Sequence, residues 1–381
     1  MTSSTPGRVA VVNSAQTLLT SSWSDRQHID LISEAVSRAL KGTGIRLEDV
    51  DFVIDSGSDF LDGRSISNCG FLGAMGAHHK EESRVEEDGL WSLTYAANKI
   101  ACGSAAVGLV VAYSKPSESD VSAFWTGLLE PFIQRPTGLD QFSAAGLYAQ
   151  RYLAKAGLKA DDLHDVSRRA WERAARNPFV DVDEVPDDRS FWFEDVATPL
   201  RRSDMARPVD GAVAVLVANA EVADQIAKRP VWITGQGSAI DQHFLAAREP
   251  DSLPACEAAG RTALRATGAA SAKEFDIVEV SGTSTVGELM VLEALGLAEP
   301  HRGIDLYRDE GSSGINPSGG ALPADVIMAT GLARLHEAAS RLSGRTGSPQ
   351  DGLDNARTAL VHGTGGFAMQ NHCVVTMAAA S

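Results

Sequence analysis

The sequence predicts an α/β protein built from two similar halves, and three observations predict it. Valine-rich apolar runs alternate with alanine-rich stretches of helical spacing, the pattern of sheets covered on both faces. A helix-to-strand unit occurs twice: Ala39-Leu40-Lys41-Gly42-Thr43-Gly44 returns as Ala263-Leu264-Arg265-Ala266-Thr267-Gly268. After a one-residue insertion, Asp51-Phe52-Val53-Ile54-Asp55-Ser56-Gly57 returns as Asp276-Ile277-Val278-Glu279-Val280-Ser281-Gly282. Copies more than half the chain apart indicate a duplicated domain rather than a solenoid, the competing reading being a chance likeness of two common units. Finally, 381 residues with 44% hydrophobic composition supply a large core and argue against disorder.

In chain order, Arg8 to Asn13 reads as a first strand. Ile29, Ile32, Ala35, Val36, Ala39 and Leu40 form one face of a helix ending near Gly42, and Asp51 to Ile54 reads as the next strand. Leu90, Leu93, Ala97 and Ile100 mark a helix that ends at Ala101-Cys102-Gly103, just before the strand Val107 to Ala112. Helical stretches follow around Ala144 to Gly157 and Leu163 to Ala175. They fall in a charged, aromatic-bearing region that reads either as an insertion covering the core or as a source of pocket walls. Val326 to Leu342 reads as a helix that Asp325 is placed to cap. The expected division is residues 1–123 with 208–235 as the first half, 124–207 as the helical insertion, and 236–381 as the second half.

The formal charge of −16 repels polyanions, and no basic run offers a nucleic-acid footprint. No stretch reads as a secretory leader or as eighteen uninterrupted apolar residues, so the expected location is cytoplasmic, with no membrane role. Cys69, Cys102, Cys256 and Cys373 lack Cys-x-x-Cys pairing or zinc-type histidine spacing; reduced, buried thiols and no metal are expected. His78-His79 with Glu81 and Glu82 point apart if helical, and His372-Cys373 has no further ligand nearby in sequence.

Gly314 to Gly331, Gly-Ile-Asn-Pro-Ser-Gly-Gly-Ala-Leu-Pro-Ala-Asp-Val-Ile-Met-Ala-Thr-Gly, resembles a loop of the thiolase superfamily, in particular of the sterol-carrier-protein-type thiolases. Val107 to Ser119, Asp210-Gly211-Ala212-Val213-Ala214-Val215, Glu288 to Leu297 and His362-Gly363-Thr364-Gly365-Gly366 are similar to further segments of that family, in the same order, over almost the whole chain. The resemblance implies a thiolase-like five-layered αβαβα fold from two duplicated halves, usually dimeric, with an acyl-CoA site between them and no other cofactor.

The family's chemistry is not matched. Its Gly-His-Pro triplet falls on Ala324-Asp325-Val326, and its Cys-x-Ser-Gly on Glu86-Glu87-Asp88-Gly89, with Glu86 at the nucleophile. Cys102 resembles that motif in Cys102-Gly103-Ser104-Ala105 but stands at the wrong end of its helix. A carboxylate is a poor substitute for a thiolate on a thioester, so ordinary thiolysis is not expected. Glu86 reads as a base or, with Glu87 and Asp88, as a solvated acidic helix start. Ser281, at the family's His or Asn, reads as a donor to the thioester oxygen or as a turn serine. Asp325 reads as an acid/base group or a cap. His362 is the remaining acid/base candidate, against a histidine bonded in a glycine turn. Asn316, Gly319, Gly320, Gly363, Gly365 and Gly366 are the expected substrate-binding positions; the glycines permit close packing or an N–H pocket.

The resemblance thus implies an acyl-CoA-binding homologue without cysteine chemistry, performing a retro-aldol type of carbon-carbon cleavage or formation with a small OB-fold or zinc-ribbon partner. The alternatives are a non-catalytic subunit of a heteromeric thiolase-like complex, paired with itself or a relative, and a soluble acyl-chain carrier.

Overall fold

A computed structural model of the chain describes residues 7–308, 313–345 and 352–380. The first six residues, part of the stretch read for a leader, lie outside them. The first half runs β1 (Val9–Gln16), α1 (His28–Leu40), β2 (Phe52–Ser56), β3 (Glu81–Val85), α2 (Gly89–Ala101) and β4 (Val107–Ser114). A connecting region follows with α3 (Val121–Gly127), α4 (Gln141–Ala156), α5 (His164–Ala174), α6 (Arg189–Phe193), β5 (Asp195–Ala197) and β6 (Leu200–Arg201), before β7 (Gly211–Asn219) and α7 (Ala220–Ile226). The second half runs β8 (Val231–Ile240), α8 (Pro254–Thr267), β9 (Ile277–Glu279), α9 (Thr285–Ala294), α10 (Asp305–Arg308), α11 (Thr330–Leu342), β10 (Thr358–Gly365) and β11 (Asn371–Ala379).

Nine strands join in the order β3-β2-β4-β7-β1-β8-β11-β10-β9. Around the β1/β8 junction the order is palindromic: β1 matches β8, β7 matches β11, β4 matches β10 and β2 matches β9. Within each half the same pair of strands runs parallel, β2 with β4 and β9 with β10. The junction itself is thin, with only Ala10 opposite Trp232 and Val11 opposite Val231.

The repeat seen in the sequence is a repeat of hydrogen bonds. Thr43 Oγ1 donates to Leu40 O at 2.8 Å and accepts from Ile45 N–H at 3.0 Å. Thr267 Oγ1 does the same with Leu264 O at 2.8 Å and Ala269 N–H at 3.1 Å. Asp51 accepts from the N–H groups of Ala106 and Val107, and Asp276 from those of Arg357 and Thr358, each bracing the entry to the parallel neighbour strand. One difference has a visible cause. Gly42, at φ +79°, ends α1 early, whereas its counterpart Ala266 lets α8 continue to Thr267 before Gly268.

Three cores show the layering. Val12, Val53, Leu109 and Leu216 face α1 on the outer side of the first sheet half. Val374, Leu360 and Val278 face α8 and α9 on the outer side of the second. Between them Leu90, Leu93 and Ala97 of α2 and Leu332, Leu335 and Ala339 of α11 pack against Ile54, Val110 and Val215 on one side and Ile277, Val361 and Val375 on the other. The sequence α1, sheet, α2 with α11, sheet, α8 with α9 is the five-layered αβαβα architecture that was expected. No helix among the described residues is long and apolar enough to cross a membrane.

Three expectations are corrected. The helix expected from Val326 begins at Thr330, and His362 to Gly365 belong to strand β10 rather than to a glycine loop. The cysteines divide: Cys256 and Cys373 are buried, but Cys69 and Cys102 are exposed.

Candidate active site

Two cavities share Trp125, Thr283, Asp325 and Gly366 as walls. The larger, about 810 Å³, is apolar, with Phe142, Tyr148, Met205, Leu253, Met290 and Met369 around it. The smaller, about 330 Å³, is bounded by Ser281, Thr330, Thr364 and Gly365. The connecting region supplies walls of the larger cavity through α3 and α4, as one of the two readings of that region expected.

Asp325 stands between the cavities and is fixed by its backbone. Its N–H donates to Arg207 O at 2.9 Å, and its carbonyl accepts from Val209 N–H at 2.9 Å. Oδ1 accepts from Ile327 N–H at 3.0 Å and Thr330 Oγ1 at 2.6 Å. Asp325 therefore holds the turn before α11 and is not the helix cap, because α11 starts four residues later than expected and Ala329 precedes it. Burial pushes its carboxyl above the usual carboxylate range. Ser281 ends the run that follows β9; its buried Oγ has no hydrogen-bond partner among the described residues. Thr364 and Gly365 close β10 beside it.

The acidic triplet before α2 is sorted by the fold. Glu86 turns outward, half exposed, and binds Arg84 Nε at 3.1 Å and Asp59 N–H at 3.1 Å, so it does not reach either cavity. Glu87 points inward, where Asn371 donates to its carboxylate and burial raises its pKa. It lies so close behind the cavity wall that a Cβ at Gly365 would come within 1.8 Å of Oε2. Asp88 is the N-cap of α2, accepting from Leu90 N–H at 2.9 Å, and it also accepts from Gly331 N–H at 2.7 Å, in the first turn of α11. Burial pushes the Asp88 carboxyl up to about 8, against the pull of those two N–H groups. Sequence reasoning missed Glu87. The available signal was Asp88-Gly89 as a cap, which starts the helix later and moves the inward position from Glu86 to Glu87.

The other named positions are placed elsewhere. Asn316, Gly319 and Gly320 sit behind the walls as a structural loop. Asn316 Oδ1 accepts from Val280 N–H at 2.7 Å, and Gly319 lies against Ala170 and Ala174 of α5. Ser318 N–H donates to buried Glu279 at 3.0 Å, and Arg334 donates to Gly320 O at 3.0 Å. Gly363 packs against Asp88 and Leu90 and does not face the cavities; Gly365 and Gly366 do. His362 is fully buried on the outer face of the second sheet half, among α8-facing residues. Alternation along β10 explains this, since Gly363 and His362 must point to opposite faces. None of the cysteines lines either cavity. Cys102 caps the far end of α2, in contact with Lys99 O and Ser104.

A mirrored pair of sheet halves, a shared central helix layer and a cavity opening beside the start of one of its helices define a thiolase-type body. Residues 237–378 match the thiolase C-terminal domain-like family. Over this C-terminal part the chain is similar to the thiolase superfamily, and its relatives include sterol carrier protein 2 of Oryctolagus cuniculus, 27% identical over 61% of this chain and 44% of that one. It is 26% identical to an acetyl-CoA acetyltransferase of Methanothermobacter thermautotrophicus over 94% of this chain and 97% of that one. It is 27% identical to the 17-hydroxy-3-oxo-4-pregnene-20-carboxyl-CoA lyase of Mycobacterium tuberculosis, again over 94% and 97% of the two chains. Among solved structures, the Ltp2-ChsH2(DUF35) aldolase superposes with a TM-score of 0.80 at 21% identity, covering 97% of this chain and 98% of that one.

Proposed function

We propose that the protein is a CoA-thioester lyase of the retro-aldol type, working without a covalent enzyme intermediate. The observation that carries this reading is the cavity itself, which is lined by Asp325, Ser281 and Thr364 to Gly366 and by no cysteine. In the cleavage direction the Asp325 carboxylate takes the proton of a β-hydroxyacyl-CoA hydroxyl. The Cβ–O bond becomes a carbonyl as the Cα–Cβ bond breaks, and its electron pair enters the thioester as an enolate. Ser281 Oγ and the N–H groups of the Gly365-Gly366 turn hold the enolate oxygen, and a proton then returns to Cα. The apolar cavity takes the substituent released as the carbonyl product.

Two neighbours favour this reading over a carrier or an inert subunit: a relative named as a CoA lyase and a structural neighbour named as an aldolase. That neighbour is a two-component assembly by its name, and we place this chain likewise with a small OB-fold partner and in a thiolase-like dimer. The test needs no knowledge of the full substrate. A lyase of this kind must enolise its acyl-CoA product, so acetyl-CoA or propionyl-CoA incubated with the protein in D₂O gains deuterium at Cα. Absence of exchange from a panel of short acyl-CoAs, with the chain alone and with its co-purified partner, favours the non-catalytic subunit.

A further inference from the structure

On the outer face of the second sheet half, remote in sequence from one another, Cys256, His362 and His372 converge. Their ligand-type atoms all lie within 4.8 Å of one another, and all three residues are fully buried. Sequence spacing had argued against a metal, because a helix residue and two strand residues so far apart give no motif.

The fold brings them together by register. His362 is opposite Val374 in the β10/β11 pair and His372 opposite Thr364, so the two imidazoles share one face of neighbouring strands. Their rings stack at 5.2 Å, and His362 Nε2 is 2.9 Å from His372 Nδ1. Cys256 enters from above, in the first turn of α8. This helix lies unusually close to the sheet, since a Cβ at Gly235 or Gly237 of β8 would approach the carbonyls of Ala263 or Ala259 to 2.2 Å.

As a purely protein-bonded pair, the histidines are left incomplete. Ser281 N–H points at His362 Nδ1 at 3.4 Å, so His362 carries its proton on Nε2 and donates to His372 Nδ1. His372 then carries its own proton on Nε2, which makes no well-formed hydrogen bond among the described residues and meets only a weak backbone contact at Met369. A buried donor without a good acceptor is unfavourable. Neutral imidazole is the form that binds metals.

We propose that Cys256, His362 and His372 form a site for a d¹⁰ metal ion, Zn²⁺ or Cu⁺. One sulfur and two imidazole nitrogens are a donor set suited to both. Binding replaces the ring-to-ring hydrogen bond by two metal–nitrogen bonds, and the Cys256 thiol releases one proton to solvent as it becomes a thiolate. The two ions differ in what they ask of the site: Cu⁺ is satisfied by three ligands, while Zn²⁺ takes a fourth. The ion would pin α8 to the β10–β11 hairpin and so fix Leu253 and Met369, which wall the apolar cavity.

The full chain, carrying Cys69→Ser and Cys102→Ser to remove the exposed thiols, is stripped with a chelator and titrated anaerobically with Co²⁺ as the zinc probe and, separately, with Cu⁺. One equivalent is expected to bind, with thiolate-to-cobalt charge-transfer absorption in the Co²⁺ arm and a raised Tm in whichever arm holds the natural ion. Cys256→Ala and His372→Ala are each expected to abolish the signal. Should either variant fail to fold, X-ray absorption at the metal edge of the loaded parent decides, expecting one sulfur and two nitrogens. Failure to bind either ion stoichiometrically, a shell without sulfur, or binding that survives Cys256→Ala overturns the proposal.

Discussion

Helices α2 and α11 occupy equivalent places in the two halves, pack side by side, and each donate a first-turn N–H to the same Asp88 carboxyl, yet only α11 opens on the cavities. The first half meets that junction with a buried cap, and the second with Asp325, Thr330 and the end of β10. Duplication supplied two similar frames, and only the second lines the cavities. The acid at the start of α2 supports both helix starts.

The largest test of that division is Asp325→Asn, expected to lower Cα deuterium exchange by about 10²–10⁴-fold, the range for a lost general acid/base, with little change in Tm. A variant that exchanges as fast as the parent would remove Asp325 from the chemistry. Asp88→Asn should act differently, through the fold. Its amide would set an N–H against an N–H of one helix start, and the buried donor left unsatisfied costs about 1–3 kcal/mol, read in denaturant melts. If stability is unchanged, the shared cap is not what joins the halves.

Gly365→Ala separates the supporting acid from the reacting one. The new Cβ displaces the Glu87 carboxylate, a flexible group that swings aside for about 1 kcal/mol. In a Glu87→Ala background that cost should vanish, and a double-mutant cycle with no coupling would disconnect the two residues. The pH profile sharpens the contrast. Asp325 acts as a base only when ionised and burial raises its pKa, so kcat/KM for exchange should fall as pH is lowered through a value above the usual carboxylate range. A limb at or below that range would assign the base elsewhere. Smallest of all, Cys102→Ala should leave exchange intact and stability within about 0.5 kcal/mol, because the residue is exposed at the closed end of α2.

Much of the fold was legible in the sequence because periodicity and repetition report on layers. The Ala39/Ala263 and Asp51/Asp276 repeats correspond to matching hydrogen bonds, and the apolar face Leu90, Leu93, Ala97 and Ile100 is buried as drawn. The site was legible only where a residue's neighbours in sequence decide its direction. Asp325 and Ser281 reach the cavity, as do Gly365 and Gly366. Glu86 missed it by one position, since a helix start read one turn too early exchanges the inward and outward acids. His362 missed it because a strand read as a loop loses its two-residue alternation. Glu87 was invisible for another reason: its partners, Asn371 and Gly365, come from the far end of the chain.

The thin seam between β1 and β8 has a consequence for how the molecule opens. Two residue pairs are too few to bind one sheet half to the other, so cohesion falls to the apolar layer that α2 and α11 share. Amide protons of these two helices should therefore exchange with solvent only when the whole molecule unfolds, and together, while those of α1 and α8 escape earlier by separate local openings. Ancestrally two, the halves would melt as one.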